Sequence, residues 1–261
     1  MCPLATLNLL FEASGSRRQL PKDWLRIAGI VGIILLAVMV PARRFLFNVD
    51  ATALGVTVVA VCVLALLGGL LFDMKGGFCN ALCPVLPVER LYGQRPLLSV
   101  PNARCLSCTA CTRGCLDLIP TKSAVLSVGN HAGSPRWTVS GYGIFALAFP
   151  GFVVAYYLLP DGGLGDMAST YGTVGLWSVG SWLVLASLFT VSRTSPAHAL
   201  LLCAGLAIGL YYWFAPPGIA AQFWLPAAFT WALRAVTLAL VSLWLIRGRR
   251  VSGNGTAPAT T

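Results

Sequence analysis

The chain has 261 residues, 57% of them hydrophobic and 10% charged, with a formal net charge of +10. Soluble domains carry roughly 25% charged residues, and a soluble chain of this length could not hide so much apolar surface, so an α-helical multi-span membrane protein is expected. In that setting the basic balance reads as the positive-inside bias rather than as a nucleic-acid surface, and no nucleic-acid partner is expected.

Residues 1–24 read as an N-terminal tail. Residues 1–16 contain no basic n-region, and Arg17, Arg18, Lys22 and Arg26 come just before the first long apolar run. That run therefore reads as an uncleaved span and not as a signal peptide. Spans one and two are expected at about 25–42 and 51–72, a transmembrane hairpin over 25–72 whose first helix ends at Pro41 and the Arg43-Arg44 pair. A polar, cysteine-rich segment follows over 73–137. Residues 138–246 hold four more spans, at about 140–159, 171–191, 197–215 and 222–246. Pro150 is expected to kink the third, Pro216-Pro217-Gly218 to stop the fifth, and Arg247, Arg249 and Arg250 to end the sixth. Residues 247–261 form a C-terminal tail, of which SGNGTAPATT reads as disordered.

An even number of spans puts both termini on one side. The N-terminal tail and the first residues of span one carry four Lys/Arg, segment 73–137 carries seven, and Arg193 and the C-terminal three fall with them. Both tails and the cysteine segment are therefore expected in the cytosol of a bacterial-type inner membrane. Only Arg43 and Arg44 argue the other way. Aromatic residues gather near the opposite ends of the spans, at Tyr156-Tyr157, Tyr171 and Tyr211-Tyr212-Trp213, as an interfacial belt would.

Two cysteine motifs occupy the polar segment. The first is Cys79-x3-Cys83-Pro84, directly after span two, and the second is Cys105-x2-Cys108-x2-Cys111-x3-Cys115. The second has the ligand spacing of a ferredoxin-type [4Fe–4S] cluster, one thiolate to each iron. Zinc is the competing occupant, but zinc sites space two Cys-x2-4-Cys knuckles by a longer loop. Cytosolic thiols stay reduced, which favours metal binding over disulfides. For Cys79 and Cys83 three readings stay open. They form a thiol pair beside a single cluster, or Cys83 replaces Cys115 as a ligand, or the pair holds a second metal or cluster shared across a homodimer. Val88–Pro96, between the motifs, reads as a short surface helix.

Cys79-Asn80-Ala81-Leu82-Cys83-Pro84 with the ferredoxin run resembles the membrane-embedded polyferredoxins of the NapH/MauN type, over roughly residues 55–125. The resemblance implies electron exchange between a quinone pool and redox partner proteins, or help in maturing a redox enzyme. The chain departs from that pattern in having one motif of each kind, and Leu116 where a proline usually follows the last cysteine.

Within the spans, Arg234 stands near the middle of the sixth, and His198 near the cytosolic start of the fifth. A cation at mid-membrane is costly and needs a partner, cavity or anionic ligand, so Arg234 is a candidate for a quinone or lipid-headgroup contact or a gate on a redox path, and His198 for a proton donor to quinone; together they are the candidates for a quinone or proton site. Cys62 and Cys203 read as small packing residues and Gly205-x3-Gly209 as a close helix contact. No phosphate loop, dinucleotide fingerprint or paired carboxylates are present, and no catalytic residue is assigned. The expected function is single-electron transfer between a cytosolic-side cluster, carried on a small ferredoxin-like insert between helices two and three, and quinone or a redox partner subunit. The alternatives are an assembly factor for a redox metalloenzyme and a membrane protein with a structural zinc site.

Overall fold

Unbroken apolar runs can satisfy their backbone groups in lipid only by coiling into helices. The computed structural model describes residues 3–10, 22–72, 77–94, 96, 120–128 and 134–253, and every regular element among them is helical. The α-helices are α1 (Pro3–Leu9), α2 (Lys22–Ala42), α3 (Ala51–Leu71), α4 (Leu86–Tyr92), α5 (Pro120–Ser127), α6 (Gly141–Leu158), α7 (Met167–Val191), α8 (Pro196–Gln222) and α9 (Ala227–Gly253). A π-helical turn, Arg43–Phe47, extends α2. Six segments are long and apolar enough to cross a membrane: Ile27–Phe47, Ala51–Leu71, Gly141–Leu158, Leu164–Val191, Pro196–Gln222 and Ala227–Gly248. The protein is a multi-pass helical membrane protein whose outward apolar faces meet lipid.

α6 is the central helix. Tyr142, Phe145, Ala146, Leu147, Phe149 and Phe152 are all buried along it, and α7 and α8 flank it. α8 contributes Ala199, Leu200, Cys203, Ala204 and Ala207 to the same core, and α9 packs on α8. Cys203 is thus the packing residue expected. Of the glycine pair on α8, Gly205 receives the Leu245 side chain, whereas Gly209 has no neighbour within 4 Å. α3 lies at the periphery, against α1 and the π-helical turn, with Val56, Val59, Val63, Leu67 and Leu70 exposed.

Hydrogen bonds tie the helices where apolar packing alone has no direction. The Ser181 hydroxyl donates to the Leu147 carbonyl (2.8 Å), the Trp182 indole to Thr138 O (3.0 Å), and the Tyr171 hydroxyl to Val38 O (2.7 Å). The first lies one residue from Ala146, whose helical donor Pro150 lacks. α6 nevertheless runs continuously through Pro150.

The span boundaries differ from the sequence expectation in five places. The first helix does not end at Pro41 and Arg43-Arg44 but continues as the π-helical turn to Phe47, and the sixth passes through Arg247, Arg249 and Arg250 to Gly253, into the stretch read as the C-terminal tail. The fifth helix does not stop at residue 215 but passes through Pro216 and Pro217 to Gln222. Proline in a membrane helix is tolerated when other groups take up the freed carbonyls. Pro217 has no N–H for the Trp213 carbonyl, and Arg234 Nε donates to that oxygen at 2.9 Å. The sixth helix begins at Ala227 rather than 222, because Phe223–Pro226 form the turn, with Trp224 in the left-handed region at φ 54°. The fourth begins at Met167, led in by a short 3-10 turn at Leu164–Asp166. Within the stretch read as tail, α1 packs against α3. Asn8 is 2% exposed there, and its amide donates to Ala65 O at 3.0 Å.

Arg44 closes the end of the bundle away from the cysteine segment. Nη1 donates to Asp161 Oδ1 (2.9 Å), Nη2 to Tyr156 O (2.8 Å), and the guanidinium lies 4.4 Å from the Tyr156 ring centre. Asn48 donates to the same carboxylate oxygen (3.0 Å). The Arg44 hydrogen bond holds the Asp161 carboxyl below its ordinary pKa. A carboxyl depressed on folding stabilises above its unfolded pKa, and that stabilisation fades as pH falls through the folded value. Asp161→Asn should therefore lower the thermal midpoint at pH 7 by the small amount an exposed pair gives, ~0.2–1 kcal/mol. The gap from wild type should begin to narrow near pH 4 and close only below the depressed folded value. Melting curves at pH 7 and below that value check this, and a gap that persists at low pH rules it out.

Candidate functional site

The site begins where α3 ends. Gly77 and Phe78 are buried, and Phe78 O accepts from Ala81 N (3.3 Å) and Leu82 N (3.0 Å), so one tight turn carries Cys79 and Cys83. Glycines on two helices admit this turn. A Cβ added to Gly32 of α2 would stand 2.9 Å from Cys83 O and 3.3 Å from Pro87. Gly77 lies backbone to backbone against Gly68 of α3, and Asn8 of α1 abuts Gly68 and Gly69. The Cys79–Cys83 turn is therefore wedged between α2 and α3, with both cysteines half-buried.

The chain then goes inward. The expected surface helix is α4, and it is not on the surface. Leu91 is fully buried, Pro87 is buried, and Gln94 is 3% exposed with its amide donating to Leu91 O (2.7 Å). The Tyr142 hydroxyl donates to Pro87 O at 3.1 Å. Tyr92 packs on Phe149 with ring centres 6.2 Å apart. Phe149 lies eight residues into α6, about 12 Å along its axis, so α4 is re-entrant. α5 returns on α4 and α8, and Arg90 Nη1 lies 3.5 Å from Ser127 Oγ. Sequence reading missed the inward path because Val88-Glu89-Arg90 looks like a solvated stretch. The signal available was the apolar set Pro87, Val88, Leu91 and Tyr92, which share one face of a short helix.

The ferredoxin run, Cys105, Cys108, Cys111 and Cys115, lies outside the described residues, as does most of segment 97–133 and the tail beyond Gly253. Among the described residues no group of three or more His, Cys, Asp or Glu is placed to hold a metal ion. Cys79 and Cys83 supply two thiols, which is half the ligand set of a cubane.

The two intramembrane candidates stand apart. His198 Nδ1 is 2.7 Å from Ser195 Oγ, in the first turn of α8 at the cysteine-segment end. Arg234 is seven residues into α9, about 10 Å along it, beside Trp213 of α8. Fifteen residues of α8, about 22 Å, separate His198 from Trp213, so the two do not form one site. Arg234 is also nearer the helix start than its expected mid-span position. The chain matches no family model, no curated protein and no solved structure.

Proposed function

We propose that the chain is a membrane-bound iron–sulfur electron-transfer protein, with one [4Fe–4S] cluster held by Cys105, Cys108, Cys111 and Cys115 at the cytosolic face of a bacterial-type inner membrane. The observation that carries this is the Cys-x2-Cys-x2-Cys-x3-Cys spacing. The apolar helices that precede and follow it in the sequence support a role at the membrane surface. The resemblance to NapH/MauN-type polyferredoxins, a ferredoxin-like insert between the second and third spans, and exchange with quinone or a redox subunit all belong to this proposal. Bound there, the cluster supplies one-electron transfer. The protein's own part is to hold the insert at the bundle. Pro87 is fastened by Tyr142, the Cys79–Cys83 turn is seated on Gly32 and Gly68, and α5 is packed on α8.

The test is iron, acid-labile sulfide and zinc per chain, on protein purified in detergent without oxygen. About four irons and four sulfides are expected, falling to near zero in Cys108→Ser. The Cys79→Ala/Cys83→Ala pair should keep the full iron content if the run alone ligates, and should lose it if Cys83 serves the cluster. Stoichiometric zinc without sulfide overturns the proposal.

A further inference from the structure

The proposed cluster chemistry makes no use of the far end of the α8–α9 hairpin, and a cation is built into it. Tyr157, next to last in α6, stacks with Phe214 and meets Tyr211 edge-on, with centres 5.7 Å apart in both pairs. These residues set the level at which the short central helix ends, and Trp213 lies at that level. Arg234 is fixed there by three contacts. Its Nε donates to the Trp213 carbonyl that Pro217 leaves without a helical donor, and its guanidinium stands 4.5 Å from the Trp213 ring centre and 5.0 Å from that of Trp231. One nitrogen is thus spent on the carbonyl. The two Nη groups, a planar fork of four N–H donors, have no hydrogen-bond or carboxylate partner among the described residues.

The surroundings face lipid. Trp213, Trp231, Tyr212 and Leu238 are exposed apolar or aromatic side chains. An unpaired cation in such a collar is costly unless an anion meets it, and a guanidinium fork matches two oxygens of a phosphate. Indole rings at the same level are the usual residents of the headgroup zone. We propose that Arg234, with Trp213 and Trp231, forms a binding site for the phosphodiester of a membrane phospholipid at the bundle end opposite the cysteine segment.

The experiment uses the full chain, stripped of lipid in a neutral detergent. Phosphatidylglycerol or diacylglycerol is added, and retained lipid is counted by native mass spectrometry. Phosphatidylglycerol should be retained and diacylglycerol, which lacks phosphate, should not. Arg234→Gln should weaken retention by about fivefold, the effect of one surface cation. Trp231→Leu, which spares the Nε–carbonyl bond, should weaken it by less and serves if the first variant does not fold. Equal retention of both lipids, or unchanged retention in the variants, overturns the site. Displacement of the lipid by millimolar inorganic phosphate overturns the lipid assignment and makes it a site for a soluble anion.

Discussion

Gly151→Leu should part α6 from α7, and the protein should melt well below the wild type and broaden its size-exclusion peak. Gly151 follows Pro150 on the central helix, and a Cβ there would collide with the Trp177 carbonyl and stand 2.6 Å from Ser181 Cβ. The first obstacle is backbone, so no rotamer change relieves it. The helices must move apart, and the Ser181–Leu147 and Trp182–Thr138 hydrogen bonds on the same seam go with them. Overpacking costs roughly 1–3 kcal/mol, and each interhelical bond adds about 0.6 kcal/mol. The sum is a large part of a typical margin of ~5–15 kcal/mol. Gly151→Ala should fall between the two. A leucine variant that melts with the wild type would show that α6 and α7 are not in contact at this point.

Gly69→Val should release α1. The Gly69 position faces the Asn8 backbone directly, and a Cβ would overlap the Asn8 carbonyl. With α1 displaced, the Asn8 amide leaves Ala65 O, and a seven-residue helix has too few internal bonds to persist by itself. Hydrogen exchange at Pro3–Leu9 reads this out. Amides protected in the wild type should exchange at the unprotected rate in the variant, while those of α6 and α8 keep their protection. Because Gly68, one residue away, seats Gly77, loss of α1 should also loosen the Cys79–Cys83 turn. Faster alkylation of Cys79 and Cys83 in Gly69→Val than in wild type is the expected sign. Unchanged exchange over α1 would mean that it does not depend on the glycine contact.

Membrane character and all six spans were legible because lipid demands length and apolarity, and both are countable. Which span is central was not. α3 and α6 are each apolar around their whole circumference, so neither shows a stripe that says what it faces. α6 turned out to be the core and α3 the rim, and the nearest thing to a signal was the aromatic row Tyr142, Phe145, Phe149, Phe152 at helical spacing. The stop expected at Pro216-Pro217 failed because a residue on another helix, Arg234, supplies the donor that the prolines remove, and a partner 17 residues downstream is invisible to local rules. α4 was misplaced for a related reason: two charges near its middle outweighed an apolar face whose partners lie on α2, α6 and α8. The four-cysteine run is a spacing read from the sequence, and it lies outside the described residues.

The central helix is also the shortest of the spans. α6 has 18 residues, about 27 Å, while α8 and α9 at its side have 27 each, about 40 Å. The apolar path is therefore shorter along α6 than along α7, α8 or α9, and α4 brings the Tyr92 phenol some 12 Å in from one end of it. A membrane voltage does ~2.3 kcal/mol of work per charge per 100 mV whatever the path, so the same drop over a shorter path means a steeper field. A voltage across α6, from the end that carries the Cys79–Cys83 turn to the end closed by Arg44, would fall over the shortest span of the six.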